Sequence, residues 1–150
     1  MLEWLVQTDG TLVPLILRLA LAVVIFPHGA QKLLGWFGGY GFKGTMGYFT
    51  GSGFPASLAF LAIIAEFFGS LGVVLGLLTR VAAFGIGCVM AVAIFKVHTP
   101  NGFFMNWYGN QKGEGYEFHL LALGLALALI IGGAGLWSLD AGLMRGVLSR

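Results

Sequence analysis

The sequence predicts an all-α, polytopic membrane protein, a bundle of four transmembrane helices with two aromatic, glycine-rich loops on one side. Its 150 residues are 58% hydrophobic and only 9% charged, whereas about a quarter of an ordinary soluble domain is charged. A bilayer core of about 30 Å needs about 20 apolar residues per helix. Four spans and their connections therefore fill residues 1–150 as a single membrane domain in contact with the lipid bilayer.

Four apolar segments define the predicted helices, at about residues 11–34, 55–78, 80–97 and 117–136. Pro14 falls in the first turn of the first segment, where its missing N–H costs nothing. The third segment ends before Thr99-Pro100, because the residue before a proline is pushed out of the helical region. The short connection at Thr79-Arg80 predicts a tight helical hairpin, and we interpret these two residues as a structural motif.

The two longer connections, residues 35–54 and 98–116, lie on the same side of the membrane if the number of spans is even. Both interleave glycines with aromatic residues, which favour the headgroup layer of a bilayer. We therefore predict an aromatic lid over one end of the bundle, carried by Trp36, Trp107 and Tyr108. The lid either covers a site or anchors the bundle in the headgroups.

The basic residues of the connections give a slight bias to membrane orientation. Arg80, Arg145 and Arg150 lie on the side of the termini, against Lys43 and Lys112 on the side of the lid. By the positive-inside rule, this excess favours cytoplasmic termini for a multi-pass protein of the cell membrane. The net charge of +2 gives no reason to expect a nucleic acid partner.

Ionisable residues inside the spans are the informative part of the sequence, because each costs at least about 2.5 kcal/mol near the bilayer centre without a partner or a wet cavity. Arg18 and Lys32 lie within about 40° of each other around the first helix, and His28 lies about 40° further round. Glu66 is in the middle of the second span. A structural ion pair or a cluster bonded to the backbone is the alternative interpretation of Arg18 and Glu66.

Connectivity predicts one layer of ionisable residues at the lid side, because the first and third helices end there and the second and fourth begin there. Its members are His28, Lys32, Lys96, His98, Glu117 and His119. Helical rise then predicts Glu66 about 15 Å below that layer, and Arg18 nearer the opposite side. Taken singly, each lysine near a helix end is expected to extend to the headgroups, the ordinary behaviour of such residues; these are Lys32, Lys43, Lys96 and Lys112. The predicted functional cluster is Arg18, His28, Lys32, Glu66, His98, Glu117 and His119. We expect Arg18, His28 and Glu66 to face a shared interior of the bundle, because ionisable groups are costly in hydrocarbon.

The three histidines do not predict a metal or haem site, since no two share a ligating spacing on one helix. Catalytic residues cannot be named from the sequence. Whether the chain is an enzyme stays open.

Two motifs carry a resemblance to a known family. The pattern R-x9-H-G-x2-K, formed by Arg18, His28-Gly29 and Lys32, resembles the DoxX family of small membrane proteins. The stretch GSLGVVLGLLTRVAA, which follows Glu66 closely and contains Thr79-Arg80, is similar to that family's second signature. The resemblance covers roughly residues 15–136 and implies a four-helix membrane fold.

The resemblance also suggests a redox function. Relatives are linked to a thiosulfate:quinone oxidoreductase, and others to oxidative-stress complexes. We therefore expect a quinone-interacting redox subunit or oxidoreductase-associated component, with quinone as the ligand. A redox protein partner or a bound cofactor would supply the electrons. The alternatives are a non-enzymatic accessory or anchor protein for a redox or oxidative-stress complex, and a small-solute or proton pathway. Homo-oligomer formation stays open.

Overall fold

Four long helices pack in a ring in the computed structural model, which describes residues 2–8 and 10–148. The helices are α1 (Leu2–Val6), α2 (Val13–Leu34), α3 (Gly41–Gly51), α4 (Ala56–Leu75), α5 (Thr79–Ala93), α6 (Glu117–Gly132) and α7 (Leu139–Leu148). Helix α2 packs against α4, α4 against α5, α5 against α6, and α6 against α2. The described residues form helices and no strands, which confirms the all-α fold class.

Three helical segments are long and apolar enough to cross a membrane: Val13–Leu34, Ala56–Leu75 and Thr79–Asn101. They agree with the first three predicted spans. Helix α6 is apolar but has only 16 residues, so it is about 24 Å long, less than a bilayer core of about 30 Å. The chain is thus an all-α membrane protein, and the fourth span stays a prediction.

The ends of α2 and α4 follow from local sequence. Pro14 occupies the first turn of α2, and Gly35 ends the helix in a left-handed conformation with φ 75°, as glycine readily does. Gly76 ends α4 in the same way, with φ 64°. Helix α4 therefore stops three residues short of the predicted end at residue 78, and the hairpin includes residues 76–78.

The third span ends differently from the prediction. Helix α5 passes at Ala93 into a π-helical turn, Ile94–His98, and then into a 3-10 turn, Thr99–Asn101. The Thr99 hydroxyl donates to the Ile94 carbonyl at 2.6 Å inside this segment. Pro100 is accommodated because it lies in the first turn of the short 3-10 helix, where no N–H is needed.

An apolar core occupies the middle of the ring. Its largest fully buried members come from four helices: Leu21 and Ile25 of α2, Val73 of α4, Ile86 of α5 and Leu129 of α6. These side chains form the layer that separates the polar groups at the two ends of the bundle.

The connections differ between the two ends. At the lid end, a 3-10 turn (Trp36–Gly38) and α3 pack against α2, and α3 also contacts α4. At the opposite end, the short helix α1 packs against α7 and α5. Arg150, which enters the orientation argument, lies outside the described residues.

Candidate functional site

An ion pair between α2 and α4 is the centre of the lid-end site. The Lys32 Nζ donates to Glu66 Oε2, and this is the one salt bridge among residues 2–8 and 10–148. The Glu66 side chain is only 4% exposed and that of Lys32 is 25% exposed. The carboxylate is therefore paired at membrane depth, as the cost of burying a lone charge requires.

The pairing corrects two expectations. Lys32 does not extend to the headgroups, whereas Lys43, Lys96 and Lys112 are exposed. Nor does Glu66 lie 15 Å below the lid-side layer. Gly29, one turn before Lys32, packs directly on the backbone of Glu66. The prediction assumed that α2 ends at the level where α4 begins, but α4 continues past the level of Lys32 towards the lid.

The second part of the site is a pair of histidines. The rings of His98 and His119 stack with their centroids 3.9 Å apart. His98 Nδ1 donates to the Glu114 carbonyl at 2.8 Å, so its Nε2 is the acceptor nitrogen in the neutral ring. His119 is only 9% exposed, and its Nδ1 is buried without a hydrogen-bond partner.

The π-helical turn explains why His98 reaches His119. In a regular helix Lys96 and His98 point about 200° apart, so at most one of them faces inward. In the structure the wide turn carries His98 to His119 of α6 and leaves Lys96 exposed. Such turns are rare and often occur at functional sites.

His28 completes the lid-end site from its edge. It is exposed on α2, although the predicted cluster placed it inside the bundle, and its ring lies 6.2 Å from that of Phe118. Phe118 in turn contacts the His119 ring at 5.2 Å. His119 also interacts electrostatically with His98, His28 and Lys32. We call the group His28, Lys32, Glu66, His98 and His119 the lid-end cluster.

Glu117 does not point towards these histidines. Its Oε1 accepts hydrogen bonds from Met105 N at 2.9 Å and from Trp107 Nε1 at 3.0 Å. Glu117 therefore holds the second lid loop on the start of α6. The predicted lid aromatics are exposed, Trp36 by 54%, Trp107 by 78% and Tyr108 by 91%, which suits the anchoring interpretation better than the covering one.

Arg18 belongs to the opposite end of the bundle. It is fully buried, its Nη2 donates to the Trp137 carbonyl at 3.0 Å, and its charge interacts with that of Asp140. The apolar core lies between Arg18 and Glu66. The seven predicted site residues thus divide into the lid-end cluster, Glu117 on the lid loop, and Arg18 at the opposite end.

Asp140, which the sequence analysis did not single out, organises that opposite end. Its two carboxylate oxygens accept hydrogen bonds from the backbone N–H groups of Leu78 at 2.7 Å and Thr79 at 2.9 Å. It thereby caps the N-terminus of α5 from α7. An acidic residue in the first turn of a terminal helix gives no signal that it caps a helix 61 residues earlier.

Arg80 supports the structural interpretation of the hairpin motif. Its guanidinium donates to the carbonyls of Ile130, of Ile131 at 2.9 Å and of Gln7 at 3.0 Å. The Trp4 ring covers it at 4.7 Å. Arg80 therefore ties α5 to the end of α6 and to the N-terminal segment, and its charge complements the helix dipole of α6.

The described part of the chain contains no group of three histidine, cysteine or acidic residues able to hold a metal ion. The chemistry available at the lid end is that of imidazole, ammonium and carboxylate groups, which bind polar ligands and transfer protons.

The fold, with ionisable residues buried at both ends of the helical bundle, is that of an integral membrane protein. The sequence model of the DoxX family matches residues 13–99, more than half of the chain. The protein belongs to the DoxX family, and the resemblance inferred from its motifs is confirmed. No curated protein and no solved structure matches the chain.

Proposed function

We propose that this DoxX-family protein binds the headgroup of a membrane quinone at the lid-end cluster and acts as the quinone-interacting component of an oxidoreductase. The observation that carries the proposal is His119, 9% exposed with its Nδ1 unpartnered beside the stacked ring of His98. A buried polar nitrogen without a partner is costly, and a ligand that hydrogen-bonds to it removes that cost.

The charges of the cluster favour an uncharged ligand. Lys32 and Glu66 neutralise each other, so the pair adds no net charge to attract an anion such as thiosulfate. A quinone headgroup is uncharged and planar, and its carbonyl oxygens accept hydrogen bonds. Protonated imidazole nitrogens and the Lys32 ammonium are suitable donors, and the rings of Phe118 and His119 offer aromatic surface.

Reduction of a quinone to a hydroquinone takes two electrons and two protons. The side chains of the cluster can hold and transfer protons but do not supply electrons. The proposal therefore includes a redox protein partner that delivers the two electrons. The protons reach the two oxygens of the headgroup through the histidines or Glu66.

Binding of a short-chain benzoquinone to the protein in lipid nanodiscs tests the proposal. We expect saturable binding, and a loss of about tenfold in affinity for His119→Phe, which keeps a ring against His98 but removes both nitrogens. Lys112→Ala, on an exposed loop residue, is the matched control and should bind like the wild type. No saturable binding by the folded wild-type protein would refute the proposal.

A non-enzymatic accessory role is the second candidate, favoured by the exposed aromatic tips of the lid. Phe104, Trp107 and Tyr108 are 65%, 78% and 91% exposed on a loop that Glu117 and Glu114 hold in place. An ordered aromatic surface of this kind suits a docking protein or the headgroup layer. Co-purification of a redox protein that depends on Trp107, without quinone binding, would favour this role.

The remaining parts of the proposal concern cellular context. We propose a location in the cell membrane with cytoplasmic termini, and homo-oligomers are compatible with it. A proton or solute pathway has less support, because the apolar layer around Leu21, Val73 and Leu129 separates the polar groups of the two ends.

A further inference from the structure

A groove at the end opposite the lid has a buried arginine in its wall. The groove has a volume of about 400 Å³ and opens to the outside. It is lined by Trp4, Gln7, Thr8, Arg80, Ile131 and Gly132. It thus lies where the N-terminal segment, the start of α5 and the end of α6 meet.

Arg80 places a charged guanidinium in the wall of this groove. The residue is only 7% exposed, and its Nε is buried without a hydrogen-bond partner. Throughout the described ranges 2–8 and 10–148, no carboxylate lies within ion-pair distance of it. Backbone carbonyls and the Trp4 ring compensate the guanidinium in part. A buried cation of this kind gains from an anionic partner.

The walls of the groove favour an amphipathic anion. Trp4 is half exposed beside the guanidinium, and Gln7 provides an amide side chain, whereas Ile131 is 78% exposed and apolar. Arginine is well suited to phosphate because its planar N–H groups match the phosphate oxygens. Basic pockets between membrane helices near the bilayer surface are typical sites for anionic headgroups.

We propose that this groove binds the phosphate group of an anionic ligand, with Arg80 as the recognising residue. The exposed apolar surface of Ile131 makes a lipid headgroup the better source than free phosphate. In that arrangement the phosphate lies at Arg80 and Trp4, and an acyl chain follows Ile131 along the outside of α6. This site is separate from the lid-end cluster and does not depend on quinone binding.

Competition between lipids measures the site directly. The purified full chain is equilibrated with phosphatidylglycerol and phosphatidylcholine, and native mass spectrometry counts the retained lipids. We expect a preference of about fivefold for phosphatidylglycerol. Arg80→Gln should abolish it. Arg145→Gln should keep it, because Arg145 is an exposed arginine on α7 at the same end.

A thermal-shift titration with inorganic phosphate distinguishes the two sources. Stabilisation by free phosphate that Arg80→Gln abolishes, without lipid preference, would keep the phosphate site and make its ligand soluble. If Arg80→Gln does not fold, Trp4→Ala decides, because it removes one wall of the groove and leaves the Arg80 hydrogen bonds in place. Neither lipid preference nor phosphate stabilisation in the wild type, or effects unchanged in both variants, would overturn the inference.

Discussion

The backbone of Gly29 in α2 packs directly on that of Glu66 in α4. A Cβ added to Gly29 would lie 2.7 Å from the Glu66 carbonyl carbon and 2.6 Å from the next amide nitrogen. Real side chains do not approach backbone so closely, so the glycine sets the distance between the two helices. That distance in turn lets Lys32, one turn further along α2, reach the Glu66 carboxylate.

Gly29→Ala should therefore destabilise the bundle by about 2 kcal/mol, the usual cost of overpacking a tight contact. The measurement is thermal or denaturant-induced unfolding in a fixed detergent. Gly124→Ala is the matched control, since a Cβ at Gly124 would meet nothing within 4 Å. Equal stability of the two variants would show that the close approach of α2 and α4 does not limit packing.

Removing one partner of the ion pair should cost more than removing both. Glu66→Leu leaves the Lys32 ammonium without its partner, and we expect a loss of about 3 kcal/mol in unfolding free energy. The double variant Lys32→Met with Glu66→Leu should recover most of it, because an apolar pair replaces the ion pair.

Ligand binding separates the functional role of the pair from its structural role. If the lid-end cluster binds quinone, the double variant should be stable but bind a short-chain benzoquinone at least about tenfold more weakly than wild type. Wild-type affinity in this folded variant would remove Lys32 and Glu66 from the proposed site. Lys112→Ala should change neither property.

Asp140→Ala should destabilise the opposite end without affecting the lid end. The substitution removes the cap on the Leu78 and Thr79 N–H groups and the charge that faces Arg18. We expect a loss of about 2 kcal/mol. Quinone affinity at the lid-end cluster should stay within about twofold of wild type. An equal loss of affinity would show that the apolar core transmits changes between the ends.

Trp107→Ala should loosen the second lid loop while ligand affinity stays unchanged. The indole is 78% exposed, and its Nε1 donates to Glu117 Oε1 at 3.0 Å. Loss of this bond should cost about 1 kcal/mol and speed proteolysis of the loop. Trp107→Phe, which keeps a ring but loses the N–H, separates the contribution of the hydrogen bond from that of the aromatic surface. A large fall in quinone affinity would instead place Trp107 over the site.

The fold was largely predictable because apolar length is a direct requirement of the bilayer. Connectivity also placed Lys32, His98 and His119 at the same end of the bundle. The vertical position of Glu66 was not predictable in this way, since it depends on how far α4 extends past the end of α2. That offset is set by the contact of Gly29 with the Glu66 backbone, which no spacing within one helix reveals.

Two other features depend on contacts between distant segments. The π-helical turn that directs His98 to His119 has no clear sequence signal apart from Thr99-Pro100. The cap that Asp140 provides for Thr79 joins residues 61 positions apart. The sequence predicted a tight hairpin at Thr79-Arg80, but it could not show which residue would satisfy the hairpin's backbone N–H groups.

The Asp140 cap also has a consequence for the order in which the protein assembles during synthesis. The first turn of α5 leaves the ribosome 61 residues before the carboxylate that completes it. The interval is longer for Arg18, because the Trp137 carbonyl that it binds lies 119 residues further along the chain. A chain synthesised only as far as α5 therefore lacks the partners of these groups, and the contacts at the end opposite the lid are complete only when residues 137–140 are present.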